Sequence, residues 1–317
     1  MVQVDTHEAQ AARSVLMVRP SRFGANPATA DSNAFQARTT EEPIAPIRTR
    51  VAQEFDALAT ALSAAGVHVC IASDTPDPEK PDAIFPNNWV SFHGDGTVVL
   101  YPMLAANRRS ERRVDVLQEL ASRHQFRIAR TVDLSDHEML DQYLEGTGSL
   151  VLDRVNRLAY ASLSPRTHLD ALGDFAQQLD YEVVSFEAFD RQGVALYHTN
   201  VLMCVGEHFA VLCPEAIVDA TRRRAVLHII ENSGHEIIAI SEAQMLRFAG
   251  NMLELQTQSG GKLVVMSAAA ANSLDDVQRQ RLERHAAILA VPIPTIETYG
   301  GGSVRCMLAE VHLPRRK

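Results

Sequence analysis

A single cysteine follows a glycine-rich stretch near the end of the chain, where Gly300-Gly301-Gly302 leads through three further residues to Cys306. Three consecutive glycines are too flexible for the interior of a helix or strand, so this segment predicts a loop that approaches another backbone or a ligand closely. A thiol delivered by such a loop is a candidate nucleophile if a base lies beside it in the fold. The alternative is a buried structural cysteine that opens a closing strand, Cys306 to Val311.

Two ionisable side chains elsewhere in the chain are candidates for that base and for its orienting acid. Glu145 stands beside glycines in Glu145-Gly146-Thr147-Gly148, and His198 stands at the entry to an apolar run. Histidine transfers protons near neutral pH, and a neighbouring carboxylate orients its ring. Each also has a structural alternative, Glu145 as a surface acid and His198 as a hydrogen-bonded strand residue. With Cys306, they would complete the set of a thiol enzyme.

A further unusual stretch crowds an acid, two asparagines and the only tryptophan between prolines. These residues are Asp82, Asn87, Asn88 and Trp89. Polar groups held beside an aromatic ring are common in ligand pockets. A plain turn in which the asparagines bond their own backbone is the alternative.

Apolar strands and amphipathic helices alternate along the chain in a repeating order. Two strands, a helix and a strand are predicted over residues 89–128, and the same order recurs over 149–184, 197–240 and 251–288. A fifth unit has to be split between the two ends of the chain, with strands from Cys306 to Leu313 and an opening at the N-terminus. If the units surround one axis, the candidate residues at their strand entries converge on one point.

Composition limits the classes of function. Of the 317 residues, 46% are hydrophobic and 22% are charged, which is typical of a globular protein with a sizeable core. The net charge of -9 argues against general attraction to nucleic acid or an anionic membrane. Four widely spaced cysteines match no zinc pattern and, with no apolar stretch of membrane length, predict a cytoplasmic protein. We expect one catalytic domain over 1–317, with 1–13 as a flexible tail.

These motifs resemble those of the guanidino-group modifying superfamily, which includes arginine deiminases, dimethylarginine hydrolases and amidinotransferases. They are most similar to its citrulline-hydrolase branch. The resemblance rests on four segments in the expected order, Asp82 to Trp89, Leu144 to Ser149, His198 to Val201 and Gly300 to Met307. It implies an α/β fold, the five-bladed propeller called a pentein, built of ββαβ units with pseudo-fivefold symmetry.

The resemblance also implies roles for the candidate residues. Cys306 would be the nucleophile, His198 the general acid and base, and Glu145 the partner of the histidine. Asp82 matches an acid at the start of the first motif, and Arg166 matches an arginine that holds a substrate carboxylate, for which a bidentate guanidinium is suited. The alternative for Arg166 is the first turn of a capped helix. The implied chemistry uses no metal ion and no organic cofactor.

Two departures from the superfamily pattern bear on the substrate. Asn88 and Asn200 stand where deiminases and amidinotransferases have aspartates that grip a cationic guanidinium. A carboxylate facing a neutral ureido group would lack a cation in a dry pocket, whereas an amide both accepts from ureido N–H groups and donates to the ureido oxygen. We therefore expect hydrolysis of the ureido C–N bond of citrulline to ornithine, ammonia and carbon dioxide, through a carbamoyl thioester on Cys306.

Two alternatives remain open on the sequence. One is an arginine deiminase, a dimethylargininase-like hydrolase or an amidinotransferase that acts on a guanidino substrate. The other is a non-catalytic pentein used for binding, which the complete set of Cys306, His198 and Glu145 disfavours. The expected partner is a small amino-acid substrate, with neither nucleic acid nor membrane, and a homodimer is left open.

Overall fold

In the computed structural model, which describes residues 8–30, 32–33, 35–36 and 42–316, the strands form five three-stranded sheets. Most of the strands are short apolar runs, and each sheet becomes one blade of a propeller. In chain order the strands are β1 (Ser14–Arg19), β2 (His68–Ser73), β3 (Val90–Phe92), β4 (Thr97–Leu100), β5 (Arg130–Asp133), β6 (Val151–Asp153), β7 (Leu158–Ser162), β8 (Glu182–Phe186), β9 (Met203–Val205), β10 (Phe209–Leu212), β11 (Glu236–Ala239), β12 (Leu253–Gln256), β13 (Lys262–Ser267), β14 (Ala287–Val291) and β15 (Ala309–Glu310).

Helices connect the strands or form single turns at their ends. The longest, α1, buries apolar side chains at intervals of three and four residues, the pattern of one helix face packed on a core. The helices are α1 (Ile44–Ala64), α2 (Val114–Ser122), α3 (Gly146–Ser149), α4 (Leu169–Leu179), α5 (Thr199–Leu202), α6 (Ala220–Asn232), α7 (Glu242–Met245), α8 (Ala268–Ser273), α9 (Asp276–Glu283) and α10 (Pro294–Gly300).

Every blade repeats one topology. The orders are β3-β4-β5, β6-β7-β8, β9-β10-β11, β12-β13-β14 and β15-β1-β2. The middle strand runs antiparallel to the first and parallel to the third. A parallel pair needs a crossover, and the helices α1, α2, α4, α6 and the α8–α9 pair provide it. The prediction of an α/β propeller of five ββαβ units, one split between the chain ends, is confirmed.

The first strands of the blades lie next to one another at the centre of the molecule. β15 contacts β3, β6 contacts β9, and β9 contacts β12. The residues that precede these inner strands therefore lie around the same axis. This is the arrangement that carries the candidate site.

Several predicted strand starts are helical turns instead. The unit predicted over 197–240 opens with α5, and its first strand, β9, begins only after that turn. Cys306 lies in a 3₁₀ turn, Val304–Met307, ahead of β15. The strand predicted at 126–128 begins only at Arg130. Side chains on a strand alternate between two faces, whereas those on a turn can all project toward one point. The polar residues at the strand entries lie on turns, so their side chains can project toward the same point.

The N-terminal segment differs from the predicted flexible tail. Residues 1–7 lie outside the described part, but residues 8–13 are packed on the propeller. The buried Gln10 donates from Nε2 to the carbonyls of Leu152 and Val205, at 2.9 and 3.0 Å, and its Oε1 accepts from the Arg154 N–H at 2.7 Å. These bonds fix the segment because two neighbouring blades share it. The single catalytic domain stays a prediction, and no helix among the described residues is long and apolar enough to cross a membrane.

Candidate active site

The candidate site forms where short turns precede the inner strands. The 3₁₀ turn Pro86–Asn88 precedes β3, α3 precedes β6, α5 precedes β9, and the turn Val304–Met307 precedes β15. The first of these turns contacts both α3 and the last turn, and α3 also contacts α5. Residues that are far apart in the sequence are thereby brought to one end of the central axis.

Two glycines of α3 allow this close contact. A Cβ at Gly146, where φ is +46°, would lie 2.2 Å from the carbonyl oxygen of Asn87. A Cβ at Gly148 would lie 2.4 Å from Nδ2 of Asn88 and 2.7 Å from Nδ1 of His198. A larger residue would collide with backbone at Gly146 and with two side chains at Gly148. The two glycines of the Glu-Gly-x-Gly pattern therefore allow Glu145 to lie beside His198.

Glu145 and His198 form a buried hydrogen-bonded pair, with 2.9 Å between Oε2 and Nε2. Burial lowers the pKa of His198 to about 4, although the bond to Glu145 opposes this shift. Burial alone would raise the pKa of Glu145, but Arg166, His198 and Arg108 together hold it well below its usual range. At neutral pH the pair is thus an anionic carboxylate and a neutral imidazole, and Nδ1 is the ring nitrogen left for proton transfer.

The Cys306 sulfur is buried and faces two amide nitrogens. Nδ2 of Asn200 lies 3.5 Å from Sγ, and Nδ2 of Asn251 lies 3.3 Å from it. The backbone N–H of Cys306 donates to the carbonyl of Ser303 at 3.0 Å, which fixes the turn that carries the thiol. Both amide N–H groups are placed to donate to the sulfur of a thiolate, the nucleophilic form of cysteine.

Three polar atoms of the predicted substrate-binding residues are buried without a hydrogen-bond partner among the described residues. They are Oδ1 of Asp82, Nδ2 of Asn88 and Oδ1 of Asn200. The other atoms of these groups are engaged: Asp82 Oδ2 accepts from Asn26 at 2.7 Å, and Asn88 Oδ1 accepts from Arg108 at 3.1 Å. Unpaired buried polar atoms are costly, so this set is suited to a polar ligand.

Two buried arginines line the same cavity. Arg166, predicted from the sequence, donates to Ser32 Oγ at 2.7 Å, and its guanidinium stacks over the Tyr197 ring at 4.9 Å. Arg108 donates twice to Glu111, at 2.9 Å in each bond, and lies 3.5 Å from Asp82. Arg108 was not predicted from the sequence, because it lies just ahead of a predicted helix in a run of charged residues that is typical of a solvated surface.

The cavity is small. Free space for the centres of water molecules amounts to about 10 Å³, roughly enough for one water. The described residues of the 20–43 loop cover it: Asn26 binds Asp82, and Nδ2 of Asn33 donates to the carbonyl of Gly301 at 3.3 Å. Its lining residues are Thr29, Asn33, Asp82, Phe85, Asn88, Arg108, Arg166, Tyr197, His198, Gly300, Gly301, Gly302 and Cys306.

All seven predicted site residues therefore meet at one place. Five line the cavity, while Glu145 contacts His198 and Asn200 contacts Cys306. Asn251 is the second residue that the sequence analysis missed. Its position in the fourth repeat, just ahead of an inner strand, matches that of Asn88 in the first and was the signal that could have identified it.

A possible metal-ligand set lies outside this site. His68, Cys70 and His124 place their ligand atoms within 4.8 Å of one another. The Arg315 guanidinium lies 3.0 Å from Nδ1 of His68, so a cation bound there would meet a positive charge. None of the predicted site residues belongs to this group.

The fold recurs in solved structures of low sequence identity. Unliganded AgrE has a TM-score of 0.72 and 23% identity, over 96% of this chain and 40% of that one. The N-terminal domain of ArgZ bound to product, an arginine dihydrolase from cyanobacteria, has a TM-score of 0.71 and 20% identity, over 95% and 99%. A dimethylarginine dimethylaminohydrolase adduct with S-methyl-L-thiocitrulline has a TM-score of 0.61 and 16% identity, over 94% and 99%. At these identities the likeness establishes the pentein fold.

Comparison of the sequence with known proteins identifies the family to which the chain belongs. The bifunctional arginine dihydrolase/ornithine cyclodeaminase AgrE of Nostoc sp. is 26% identical over 253 residues, which are 78% of this chain but only 32% of that protein. The chain thus spans about a third of this curated relative. Neither it nor the structures above is named a citrulline hydrolase, so similarity to that branch stays a prediction. The family model described as N,N dimethylarginine dimethylhydrolase, eukaryotic, matches residues 19–313. The chain therefore belongs to this family, within the guanidino-modifying superfamily.

Proposed function

We propose that the protein is a thiol-dependent hydrolase of the C–N bonds at the guanidino or ureido carbon of an arginine-type amino acid, and that it forms ornithine from citrulline. The observation that carries the ureido step is a pair of amide atoms that have no hydrogen-bond partner among the described residues, a donor on Asn88 and an acceptor on Asn200. The two groups have opposite hydrogen-bonding character. A ureido group complements both.

The orientations of these amides follow from their neighbours. The Arg108 guanidinium only donates, so the atom of Asn88 that faces it has to be the carbonyl oxygen, and Nδ2 is left over. Asn200 turns its N–H group toward the Cys306 sulfur, which leaves its oxygen. A ureido oxygen accepts from Asn88 while ureido N–H groups donate to Asn200. A guanidinium has donors only and would leave the Asn88 N–H unpaired, a loss of about 1–3 kcal/mol.

Each residue of the site then has a role in the reaction. His198 first takes the proton of the Cys306 thiol, and the thiolate attacks the ureido carbon. Collapse of the adduct breaks the bond to the δ-nitrogen, and His198 returns the proton to this nitrogen, which leaves as ornithine. His198 next takes a proton from water, whose oxygen attacks the carbamoyl thioester and releases the thiolate. The carbamic acid that forms decomposes to ammonia and carbon dioxide. Glu145 stabilises the imidazolium that appears in each step.

The basic wall of the cavity supports an amino-acid substrate. Arg108 and Arg166 place two guanidinium groups in the lining, and each lies within 3.6 Å of the Glu145 carboxylate. Arg166 bonds to neutral groups, the hydroxyl of Ser32 and the carbonyl of Thr29. A substrate carboxylate replacing these neutral acceptors would gain charge-assisted hydrogen bonds.

The relatives favour a second candidate function, in which arginine is the substrate and citrulline is an intermediate. Both AgrE and ArgZ are named arginine dihydrolases, which bears more directly on a guanidino substrate than on citrulline alone. The Asp82 carboxylate, whose Oδ1 has no hydrogen-bond partner in the described part of the chain, faces the same cavity. Thiolate attack on the guanidino carbon would expel ammonia, and water would release citrulline, which the ureido step then converts to ornithine. Dimethylarginine would instead give citrulline and dimethylamine.

Product analysis separates these candidates. The purified protein is incubated separately with citrulline, arginine and dimethylarginine, and the products are identified by mass, with Cys306→Ala as the control. Ornithine from citrulline, absent with the control, is the expected result. Conversion of arginine to ornithine would establish the two-step candidate, whereas citrulline as the final product from either guanidino substrate would contradict the ureido step. Full activity of Cys306→Ala would contradict the thiol mechanism.

Asn88→Asp tests the amide argument directly. We expect the specificity constant for citrulline to fall by about 10–100-fold, because the variant loses the N–H donor and brings an unpaired carboxylate to a neutral group. The ratio of arginine to citrulline turnover should rise. The same substitution at the exposed Asn232 is the matched control. Unchanged citrulline hydrolysis by Asn88→Asp would show that the amide does not select the substrate.

A further inference from the structure

Asn251 lies just ahead of β12, the inner strand of the fourth blade. Each of the other four blades contributes a residue with a proposed role at the same place, ahead of its inner strand. Asn251 lies two residues ahead of β12, just as Asn88 lies two residues ahead of β3. Its side chain is fully buried and reaches the Cys306 sulfur. Unlike Asn88, it is not part of the cavity lining. Its amide nitrogen and oxygen are both bonded to protein groups, so we assign it a role through Cys306 and not through a bond to the substrate.

The neighbours of Asn251 leave its amide one orientation. Its Nδ2 donates to the carbonyl of Asn200 at 2.9 Å, and its Oδ1 accepts from the backbone N–H of Arg305 at 3.1 Å. A backbone carbonyl accepts only and a backbone N–H donates only, so rotating the amide by 180° would break both bonds. The second N–H of the same nitrogen is then directed to the Cys306 sulfur, 3.3 Å away.

We propose that Asn251 is the positioning residue of the nucleophile: it joins the turns that carry Asn200 and Cys306 and presents a fixed N–H group to the sulfur. This inference rests on the proposed function and extends it. Asn200 also donates to the sulfur, but at 3.5 Å, and its oxygen is free for substrate. Asn251 uses both ends of its amide on the protein, so its N–H stays directed at the sulfur when the cavity is empty.

The test measures the thiol itself and not turnover. Iodoacetamide alkylates a thiolate, so the rate of modification of the Cys306 peptide, followed by mass spectrometry against pH, reports how readily the thiol ionises. Asn251→Asp keeps an acceptor for the Arg305 N–H but removes the donor to sulfur and brings a carboxylate near it. We expect the midpoint of the alkylation profile to rise by about one pH unit or more. With substrate, kcat should fall by about 10²-fold.

Two further variants make the result decisive. Asn251→Ser, which keeps a shorter hydroxyl donor, should shift the midpoint less than Asn251→Asp and serves in its place if the aspartate variant does not fold. Asn232→Asp adds the same charge on the exposed face of α6 and should leave the profile unchanged. The titratable groups around the cavity, Tyr197, His198 and Glu145 among them, are the same in every variant.

A folded Asn251 variant with an unshifted alkylation profile would overturn the inference, even if its activity fell, because a purely structural role lowers activity without changing the ionisation of the thiol. The proposed function fails separately, if the wild-type protein releases no ornithine or citrulline. In that case a shifted profile in Asn251→Asp would still assign the positioning role.

Discussion

At the scale of single residues, the Glu145 carboxylate connects the base to the basic wall of the cavity. Its Oε2 accepts from His198 and faces both Arg108 and Arg166, while Oε1 accepts from the Leu104 N–H at 3.2 Å. These cations and donors offset the cost of burying the charge. The carboxylate therefore stays ionised, and it supports protonation of His198 when the reaction requires it.

Glu145→Gln should lower kcat by about 10²–10⁴-fold without unfolding the protein. The neutral amide does not stabilise the imidazolium, so the pKa of His198, already about 4, falls further and the ring becomes a weaker base. Steady-state kinetics, with circular dichroism as a check of the fold, measure the effect. Glu187→Gln, at an exposed position, is the matched control. A Glu145→Gln enzyme with normal kcat would contradict the role of the pair.

At the scale of elements, the chemistry depends on turns that are too short to be stable by themselves. α3 and α5 have four residues each. They contact one another, and α3 also contacts the Pro86–Asn88 turn. A single helical turn has little intrinsic stability, so packing decides its position. Gly148 allows the approach, because the side chains of Asn88 and His198 occupy the space where its Cβ would be.

Gly148→Ala should reduce activity far more than stability. Its Cβ would displace Asn88 Nδ2 and the His198 ring, and a shift of about 1 Å at reacting groups costs about 10²-fold in rate. The free energy of unfolding should fall by about 1–3 kcal/mol. Gly173→Ala is the control: nothing lies within 4 Å of that Cβ in α4, so it should stabilise the protein by about 0.5–1 kcal/mol at unchanged kcat. Wild-type kinetics for Gly148→Ala would refute this account.

At the scale of the whole molecule, the propeller buries ionisable groups well away from the reaction as well as in it. His93 is buried, and only 5% of the His312 side chain is exposed. Desolvation holds the pKa of each well below its ordinary value, and the Arg154 guanidinium adds to the effect. Glu8, from the packed N-terminal segment, pairs with Arg154 at 2.8 Å. The fold therefore keeps these histidines neutral at pH values at which an unfolded chain protonates them.

Stability should fall as the pH decreases from 6.5 to 5. In this window the unfolded state protonates His93, His198 and His312 while the folded state does not, so acidification favours unfolding. Each histidine contributes up to about 1.4 kcal/mol per pH unit. Urea unfolding at several pH values measures the slope, which His93→Gln should reduce by that amount. His228→Gln, at an exposed position of α6, should leave it unchanged. Equal slopes for wild type and His93→Gln would contradict the linkage.

Much of this molecule was determined by local sequence. The apolar runs and helical periodicities indicated the ββαβ order, because burial patterns of strands and helices are local. The unusual motifs, together with the resemblance to the superfamily, indicated the seven candidate residues. The prediction of a flexible tail was wrong for residues 8–13, because the hydrogen bonds of Gln10 join this segment to residues more than 140 positions away.

Tertiary structure alone decided which groups surround the sulfur. Arg108 looks like a surface charge in the sequence, and Asn251 looks like the first residue of a strand. Their positions follow from closure of the five blades about one axis, which brings α5, the residues ahead of β12 and the turn Val304–Met307 together from separate repeats. Such closure depends on packing between units that share a pattern but no local sequence, so no single segment of the chain encodes it.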